Sequence, residues 1–471
     1  MRTLEMIIIA LLAIRLFAGL RWSTRLLDWL SIAALFLSGL HAWLEGWRWQ
    51  MIPAYIVALG LALLGVIHIL GDKPGQGRTR KLPLLKGILI LILFLILLLP
   101  PLLLPVPEIY SPTGPYQVGT FSVMLVDQDR AELYADVPNG PRRLMVQVWY
   151  PAEPEAGASF GPWVEEPQVI APAIAEFLGF PSFFLDHLEY ANGNAYPDAP
   201  LSAAKDKYPL LLFSHGWSGF RAQNTFQMVS LASHGYVVAA PDHTYGAIAT
   251  IFPDGQIAYN NPLALPTGRG LPQDEFLTAA QQLGEQWSGD LSFILDTLTD
   301  IDPGTPLVIF QDHLNFDQVG ALGHSTGGGA ALQFCVQDSR CQAVLGMDPY
   351  MEPINKGALT SGTDAAIMAM FSESWSSHRD DNSDLFEELR QNSTNQTYRF
   401  TITGTEHFDF SDLPAFSPLA ATFGLKGPIS AERALKIITD YTLAFFDQHL
   451  LGVAENLLDP DRQVYDELMW R

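Results

Sequence analysis

The chain has 471 residues, a length that favours two or three structural units. Its first 106 residues hold ten of the 27 basic and four of the 50 acidic side chains, a formal charge of +6, whereas the remainder holds 17 and 46, a formal −29. So acidic a region is excluded as a nucleic-acid-binding domain, because phosphate groups require a basic surface.

Four apolar segments occupy the first 106 residues, and each is close to the length that crosses the roughly 30 Å apolar core of a bilayer. They lie at 5–20, 27–45, 51–70 and 86–104. The first is short and contains Arg15, so it either crosses the bilayer or lies along its surface. We therefore predict an integral membrane anchor of three or four transmembrane helices over 1–106, followed by a soluble domain over 107–471.

The basic residues predict the orientation of this anchor, since loops rich in Lys and Arg stay in the cytoplasm. The loop before the last apolar segment contains five of them, Lys73, Arg78, Arg80, Lys81 and Lys86. Arg21 and Arg25, two segments earlier, fall on the same side. We therefore predict a multi-pass protein of the cell membrane whose residues after Pro107 are extracytoplasmic. The proline-rich stretch 98–115 predicts a stiff exit linker, because proline cannot continue a helix.

Beyond residue 114, apolar segments alternate with amphipathic helical stretches. Two early segments, GTFSVMLVD and RRLMVQVWYP, predict a β-hairpin. Six further strands are predicted at 208–216, 235–243, 316–325, 341–349, 364–374 and 397–407. This alternation predicts an α/β fold with a mostly parallel sheet and helices on both faces. In such sheets the active site forms at the carboxyl ends of the strands.

The segment GALGHSTGGGA, residues 320–330, joins a predicted strand to a predicted helix. Ser325 lies between Gly323 and Gly327, the G-x-S-x-G spacing of a nucleophile elbow, where small residues permit a very tight turn. A Gly-rich turn without catalytic meaning would show the same five letters. The strand before Ser325 and the helix after it favour the elbow, and Ser325 is the predicted nucleophile.

A serine hydroxyl needs a histidine to take its proton and a carboxylate to orient that histidine. Asp348 and His407 each follow a predicted strand, and the chain order Ser, Asp, His is that of α/β-hydrolases. Other residues could fill these roles: Glu373 or Asp380 as the acid, and His378 as the base. The predicted oxyanion hole consists of the backbone N–H groups of Thr326 and Trp217, the latter in the loop SHGWSG.

The block YPLLLFSHGWSGFRAQNTFQMVSLASHGYVVAAPDH, with the elbow GHSTGGG, resembles the plasma-type (group VII) platelet-activating factor acetylhydrolases. The resemblance extends over about residues 114–450. It implies an α/β-hydrolase fold and hydrolysis of short or oxidised acyl esters, such as the sn-2 ester of a phospholipid, with no metal or organic cofactor. It also implies that the acid follows the strand next after the nucleophile helix, which favours Asp348 over Glu373 or Asp380.

Three departures from that family bear on the substrate. Trp217 replaces a smaller aliphatic residue and would narrow the acyl site, region 155–205 is only loosely similar, and the secreted enzymes have no transmembrane helices. Esterases of the dienelactone-hydrolase type share the elbow. A general carboxylesterase or polyesterase, or a non-catalytic receptor with a hydrolase fold, are therefore alternative interpretations.

The two cysteines, Cys335 and Cys341, are separated by six positions near the helix that follows the elbow. An oxidising compartment would permit a disulfide between them. A continuous helix would hold them too far apart to bond. The sequence therefore leaves open whether they form a disulfide or are two separate buried thiols.

Overall fold

A computed structural model describes residues 1–22, 24–71, 84–135, 140–267, 270–378 and 380–471. The chain forms two compact units. The helical unit comprises Met1–Glu108 with the short segments Phe184–Ala191 and Phe416–Leu419, and the sheet unit comprises the remaining residues. The division at residue 106 stays a prediction, and most of the basic loop expected in the cytoplasm lies outside the described residues.

In its described residues the helical unit contains four α-helices: α1 (Thr3–Ala18), α2 (Arg25–His41), α3 (Ile52–Leu70) and α4 (Leu84–Leu103). Among the residues that the structure describes, three stretches are long and apolar enough to cross a membrane: Arg25–Gly46, Trp49–Leu70 and Leu84–Leu103. On α3 the small residues Ala54, Ala58 and Ala62 are buried, whereas Ile56 and Ile67 are exposed. Small residues allow close contact between helices, and the exposed apolar side chains suit a lipid environment.

Helix α1 packs against the other three helices although it has only 16 residues. Its buried face joins one apolar cluster of the helical unit, formed by Ile8, Ile9, Leu12, Leu16, Ala34, Met51, Ala54, Ala58 and Leu97. Arg15, the residue that made this segment ambiguous, donates a hydrogen bond to Ser31 Oγ at 3.1 Å. Helix α4 continues through Pro100 and Pro101 and ends at Leu103, so the prolines stop the helix slightly later than expected.

The described part of the sheet unit contains twelve strands. They are β1 (Gln117–Ala131), β2 (Pro141–Ala152), β3 (Tyr196–Pro197), β4 (Tyr208–Ser214), β5 (Val237–Asp242), β6 (Ala249–Ile251), β7 (Ile257–Tyr259), β8 (Leu314–His324), β9 (Cys341–Met347), β10 (Ala366–Ser372), β11 (Thr397–Ile402) and β12 (Leu468–Trp470). Ten of them form one sheet in the order β12-β11-β10-β9-β8-β4-β5-β2-β1-β3, and β6 pairs with β7.

The six central strands, from β11 to β5, run parallel, and the β1–β2 hairpin and β12 extend the sheet with antiparallel pairs. The predicted hairpin and mostly parallel sheet are thus confirmed. Eight α-helices accompany the strands within the same described residues: α5 (Pro167–Phe177), α6 (Thr225–Ser233), α7 (Gln273–Thr299), α8 (Thr326–Gln337), α9 (Lys356–Ser361), α10 (Glu373–His378), α11 (Asp380–Asn392) and α12 (Ala431–Leu451).

Helices cover the sheet on both faces, as expected for parallel strands with continuous apolar sequences. Leu210 and Leu212 of β4 belong to the core cluster that includes residues of α7 and α8. A Cβ atom on Gly320 of β8 would lie 2.9 Å from side-chain atoms of both Leu211 and Phe446. Side chains alternate along a strand, so Leu211 and Phe446 of α12 lie on the opposite face from Leu210.

Cys335 and Cys341 are joined by a disulfide, with their Cα atoms 5.1 Å apart. Helix α8 ends at Gln337, so only Cys335 is helical, while Cys341 begins β9. The separation expected for a continuous helix does not apply, because the chain turns between the two residues.

Candidate active site

Ser325 occupies the single residue between the end of β8 and the start of α8, with φ 56° and ψ −122°. A positive φ is strained for a residue with a side chain and persists only where the surroundings enforce it. A Cβ atom on Gly327 would lie 2.2 Å from the carbonyl oxygens of Ser214 and His215, and one on Gly323 would lie 2.3 Å from the Gly327 carbonyl oxygen. The first turn of α8 therefore passes so close to β4 and β8 that only glycine fits at these two positions.

Asp348 and His407, predicted from separate strand ends, are hydrogen-bonded to each other. Asp348 follows β9 directly and is fully buried. His407 Nδ1 lies 3.0 Å from Asp348 Oδ2. If Nδ1 carries the proton that this bond requires, Nε2 is the ring nitrogen left to accept one. Strand β11 ends at Ile402, so His407 begins a 3₁₀ turn five residues beyond the strand rather than at its end.

The alternative acids and the alternative base are not seen next to Asp348 or His407 among the described side chains. Glu373 is exposed at the start of α10, where its Oε2 accepts a hydrogen bond from the Gly404 N–H at 2.7 Å. The side chains of His378 and Asp380 are not among those described. The carboxylate on His407 Nδ1 in this structure is that of Asp348.

Ser372, which the sequence analysis did not identify, holds the Asp348 carboxyl group. Its N–H donates to Asp348 Oδ1 and its hydroxyl donates to Oδ2, both at 2.6 Å. Burial raises the pKa of Asp348 to about 7, and the two hydrogen bonds from Ser372 oppose that rise. The position of Ser372 at the carboxyl end of β10 was the available signal, but serine is too common there to stand out.

Aromatic rings lie against His407, among them those of Trp375 and His324. Trp375 stacks on its imidazole with ring centroids 4.3 Å apart and an interplanar angle of 10°. The centroid of His324, the residue before the elbow serine, lies 4.5 Å from that of His407. Burial lowers the pKa of His324 to about 3, so this ring is neutral at ordinary pH and adds no charge beside His407.

The loop after β4 comes close to the elbow. A Cβ atom on Gly216 would lie 3.4 Å from Ser325 Cβ. The Gly216 carbonyl accepts hydrogen bonds from His215 Nδ1 at 2.7 Å and from the Gly219 N–H at 2.8 Å. In a planar trans peptide the N–H opposes the carbonyl, so these bonds fix the direction of the Trp217 N–H. The Thr326 N–H belongs to the first turn of α8, where N–H groups have no acceptor within the helix.

A buried ionic network stabilises the loop after β4. His215 Nε2 accepts the N–H of His243 at 3.0 Å, and His243 Nδ1 lies 2.8 Å from Asp290 Oδ2. Asp290 in turn receives two hydrogen bonds from Arg142, at 3.0 and 2.7 Å. All these side chains are fully buried. Sequence reasoning missed the network because its members come from four distant segments.

One group of three side chains with metal-binding chemistry, Glu5, His41 and Glu45, lies in the helical unit. Arg48 donates to both carboxylate oxygens of Glu5 at 2.7 Å, so a guanidinium already neutralises this carboxylate. This donor set fits an ion pair between Glu5 and Arg48 better than a metal ion.

The mostly parallel sheet, the serine at a strand-to-helix elbow and the hydrogen-bonded pair of Asp348 after β9 and His407 in the segment after β11 define an α/β-hydrolase-like protein. Among solved structures it is similar to a ferulic acid esterase from Streptomyces cinnamoneus, with a TM-score of 0.63 and 26% identity, covering 78% of this chain and 99% of that one.

Residues 106–467 match the family described as platelet-activating factor acetylhydrolase, isoform II, and the chain belongs to this family. It is 27% identical to a platelet-activating factor acetylhydrolase of Cavia porcellus over 73% of this chain and 78% of that protein. It is 23% identical to a probable 1-alkyl-2-acetylglycerophosphocholine esterase of Arthroderma benhamiae over 76% and 92% of the respective chains. The chain is accordingly a carboxylic ester hydrolase.

Replacing Ser372 by alanine should make esterase activity more sensitive to acid. The Ser372 hydroxyl stabilises the charged form of Asp348, so its removal should raise the pKa of Asp348 further above the usual range. Because the ionised carboxylate is the form that orients histidine, the acidic limb of the kcat/KM profile should move to higher pH. The control is Ser393→Ala, which removes a hydroxyl bonded to the Leu389 carbonyl. An acidic limb that stays in place or moves to lower pH would contradict this role for Ser372.

Proposed function

We propose that Ser325 is the nucleophile of this esterase, His407 its general base and Asp348 the carboxylate that orients the histidine. Ser325 Oγ attacks the ester carbonyl carbon while His407 Nε2 takes the hydroxyl proton. The bond to the alcohol oxygen then breaks, and His407 returns the proton to that oxygen. Water, deprotonated by His407, then attacks the acyl-enzyme carbonyl. The bond to Ser325 Oγ breaks, His407 returns the proton to Ser325 Oγ, and the carboxylic acid is released.

The observation that carries this proposal is the 3.0 Å contact between His407 Nδ1 and Asp348, beside a serine in a strained elbow. The backbone N–H groups of Trp217 and Thr326 are the proposed donors to the oxyanion of the tetrahedral intermediate. Both belong to segments whose direction is fixed by neighbouring bonds, and such preorganised donors contribute about 10² to 10³ in rate each.

We propose that the substrate carries a short or oxidised acyl chain and includes the sn-2 ester of phospholipids. The names of the Cavia porcellus and Arthroderma benhamiae relatives support an acetyl ester of a glycerophospholipid. Bulky aromatic residues beside the triad support a small acyl site. Trp375 stacks on His407, and Trp217 packs parallel to Trp287 with centroids 6.3 Å apart.

A second candidate function is a general carboxylesterase that also accepts aromatic acyl groups. The similarity to a ferulic acid esterase favours it. The exposed part of the Trp375 and Trp217 rings offers flat surfaces on which an aromatic acyl group could stack. The two candidates differ in the acyl group that they accept, so a substrate series separates them.

The purified protein should hydrolyse acetyl and butyryl p-nitrophenyl esters and a 2-acetyl phospholipid with kcat/KM at least tenfold above those for palmitoyl esters and long-chain phospholipids. Methyl ferulate supplies the comparison for the second candidate. The Ser325→Ala variant, which lacks the nucleophilic hydroxyl, measures the background. A preference for ferulate over every short-chain ester would favour the second candidate, and a preference for palmitoyl esters would contradict both.

Asp348→Asn should lower kcat by about 10³ to 10⁴, because an amide cannot hold His407 in the required tautomer or stabilise its charged form. Glu373→Gln is the matched control: it alters the competing carboxylate, which bonds the Gly404 N–H instead. Steady-state rates on p-nitrophenyl acetate would compare the two variants. A large loss of kcat in Glu373→Gln, together with a small loss in Asp348→Asn, would assign the acid to Glu373.

We also propose that the three long apolar helices span the membrane and that the residues after Pro107 are extracytoplasmic. The basic loop near 73–86 supports this orientation through the Lys/Arg rule. The Cys335–Cys341 disulfide supports it independently, because disulfides persist in oxidising compartments.

Protease added to intact spheroplasts of expressing bacteria should therefore digest the region after Pro107 while a tag placed within 72–83 stays intact. Permeabilised spheroplasts provide the control, in which both regions are cut. Protection of the esterase domain in intact spheroplasts would place it in the cytoplasm.

A further inference from the structure

Gln223, in the segment before α6, connects the oxyanion loop to the residue preceding the nucleophile. Its Oε1 accepts the Gly216 N–H at 3.1 Å. Its Nε2 lies 3.1 Å from His324 Nδ1 and 2.9 Å from Asn224 Oδ1. The amide passes so close to the loop that a Cβ atom on Gly219 would lie 2.1 Å from Gln223 Oε1. The loop is therefore built around this side chain.

His324 continues the connection to the loop that bears the histidine of the triad. Its Nε2 lies 3.0 Å from the backbone carbonyl oxygen of His407. A carbonyl can only accept, so Nε2 carries the proton, and Nδ1 of the neutral ring is left to accept from the Gln223 amide. The low pKa of this buried ring keeps it neutral and so preserves this pattern.

The donor and the acceptor of each bond in this hydrogen-bonded chain of side chains are thus assigned. The Gly216 N–H donates to Gln223 Oε1, Gln223 Nε2 donates to His324 Nδ1, and His324 Nε2 donates to the His407 carbonyl. Gln223 and His324 are both buried. The chain joins the oxyanion loop, the elbow and the loop of His407 through two side chains.

We propose that Gln223 and His324 are positioning residues that hold the oxyanion loop, the nucleophile elbow and the loop of His407 in register. The inference rests on the proposed triad, and neither residue is assigned a contact with the substrate. Each of the three elements carries one reacting group, namely the Trp217 N–H, the Ser325 hydroxyl and the His407 imidazole. A displacement of about 1 Å between such groups is enough to cost about 10² in rate.

This role separates catalysis from substrate binding. Loss of this hydrogen-bonded chain should lower kcat and weaken the binding of transition-state analogues. Only the tetrahedral state requires all three elements at once. The KM of a small ester should change little, because no contact with the bound ester is removed. A residue that served only stability would instead lower the melting temperature and leave kcat of the folded enzyme unchanged.

Gln223→Leu should lower kcat on p-nitrophenyl acetate about 10- to 100-fold and leave KM within about threefold of the unmodified enzyme's value. The Ki of a short-chain alkyl trifluoromethyl ketone, which mimics the tetrahedral state, should rise by the same factor as kcat falls. The matched control is Gln147→Leu in β2. Gln147 is also buried, and its amide donates to Thr120 Oγ1 of β1 at 3.1 Å, so it takes no part in the contacts of Gln223 and His324. It should lower stability without changing kcat or Ki. Gln223→Met, which keeps the length of the side chain, serves if the leucine variant does not fold.

A double-mutant cycle tests whether the two residues act as one unit. His324→Phe keeps a ring but removes both hydrogen bonds. If the chain acts as a unit, the double variant Gln223→Leu/His324→Phe should be no slower than the slower single variant, since either change already breaks the connection. Rate losses that multiply in the double variant would overturn the proposal, as would a Gln223→Leu enzyme with wild-type kcat and Ki.

Ser325→Ala distinguishes failure of this inference from failure of the proposed triad. If Ser325→Ala is inactive and Gln223→Leu is fully active, only the positioning role is wrong. If Ser325→Ala retains activity, the triad itself is wrong and the positioning role fails with it.

Discussion

The close approach of the first turn of α8 to the ends of β4 and β8 determines the geometry of the whole candidate site. Glycine at 323 and 327 permits this approach, and the chain must then take a positive φ at Ser325. Strain of this kind costs of order 1–3 kcal/mol and needs support from the surroundings. The Ser325 N–H donates to the Met347 carbonyl at 2.9 Å, and the Ser325 carbonyl accepts the Tyr350 N–H at 2.8 Å. The backbone of the elbow is therefore clamped by the residues on both sides of Asp348.

This clamp explains why the serine and the carboxylate cannot move independently. Asp348 also has a positive φ, of 43°, and its carboxylate is held by two hydrogen bonds from Ser372. The proposed base is the exception, because His407 lies in a short turn beyond β11 and its ring is partly exposed. Its position depends on side-chain contacts with Asp348, Trp375 and His324. Those contacts make the loop of His407 the part of the site most sensitive to mutation of its neighbours.

The strands and the elbow could be anticipated from sequence because they follow local rules, namely apolar runs and glycine spacing. The choice of Asp348 over Glu373 or Asp380 as the partner of His407 depended instead on the family resemblance. Three features could not be anticipated, because they depend on where individual turns begin. They are the end of β11, the continuation of α4 through Pro100 and Pro101, and the disulfide. Ser372, Gln223 and the network around Asp290 depended on contacts between segments far apart in the chain. Nothing in the local sequence distinguishes Gln223 from Gln227, although only the first bonds the oxyanion loop.

The helical unit follows a different principle, in which few polar groups lie among many apolar ones. Glu5 of α1 pairs with Arg48 in the connection between α2 and α3, and Asp28 of α2 pairs with His68 of α3 at 2.6 Å. In an apolar environment such groups are costly unless paired, so they fix which helices are neighbours. Polar pairs stabilise the helical unit, whereas the close approach of backbone segments determines the elbow at Ser325.

Covalent labelling tests the central claim, that Ser325 is the acylated nucleophile, most directly. The intact protein would be treated with a fluorophosphonate, with and without prior incubation with the trifluoromethyl ketone, and digested for peptide mass spectrometry. The account predicts one phosphonyl group on Ser325, blocked by the ketone and slowed strongly in the Asp348→Asn enzyme. A label on another serine, or equal labelling of an inactive Ser325→Ala protein, would contradict it.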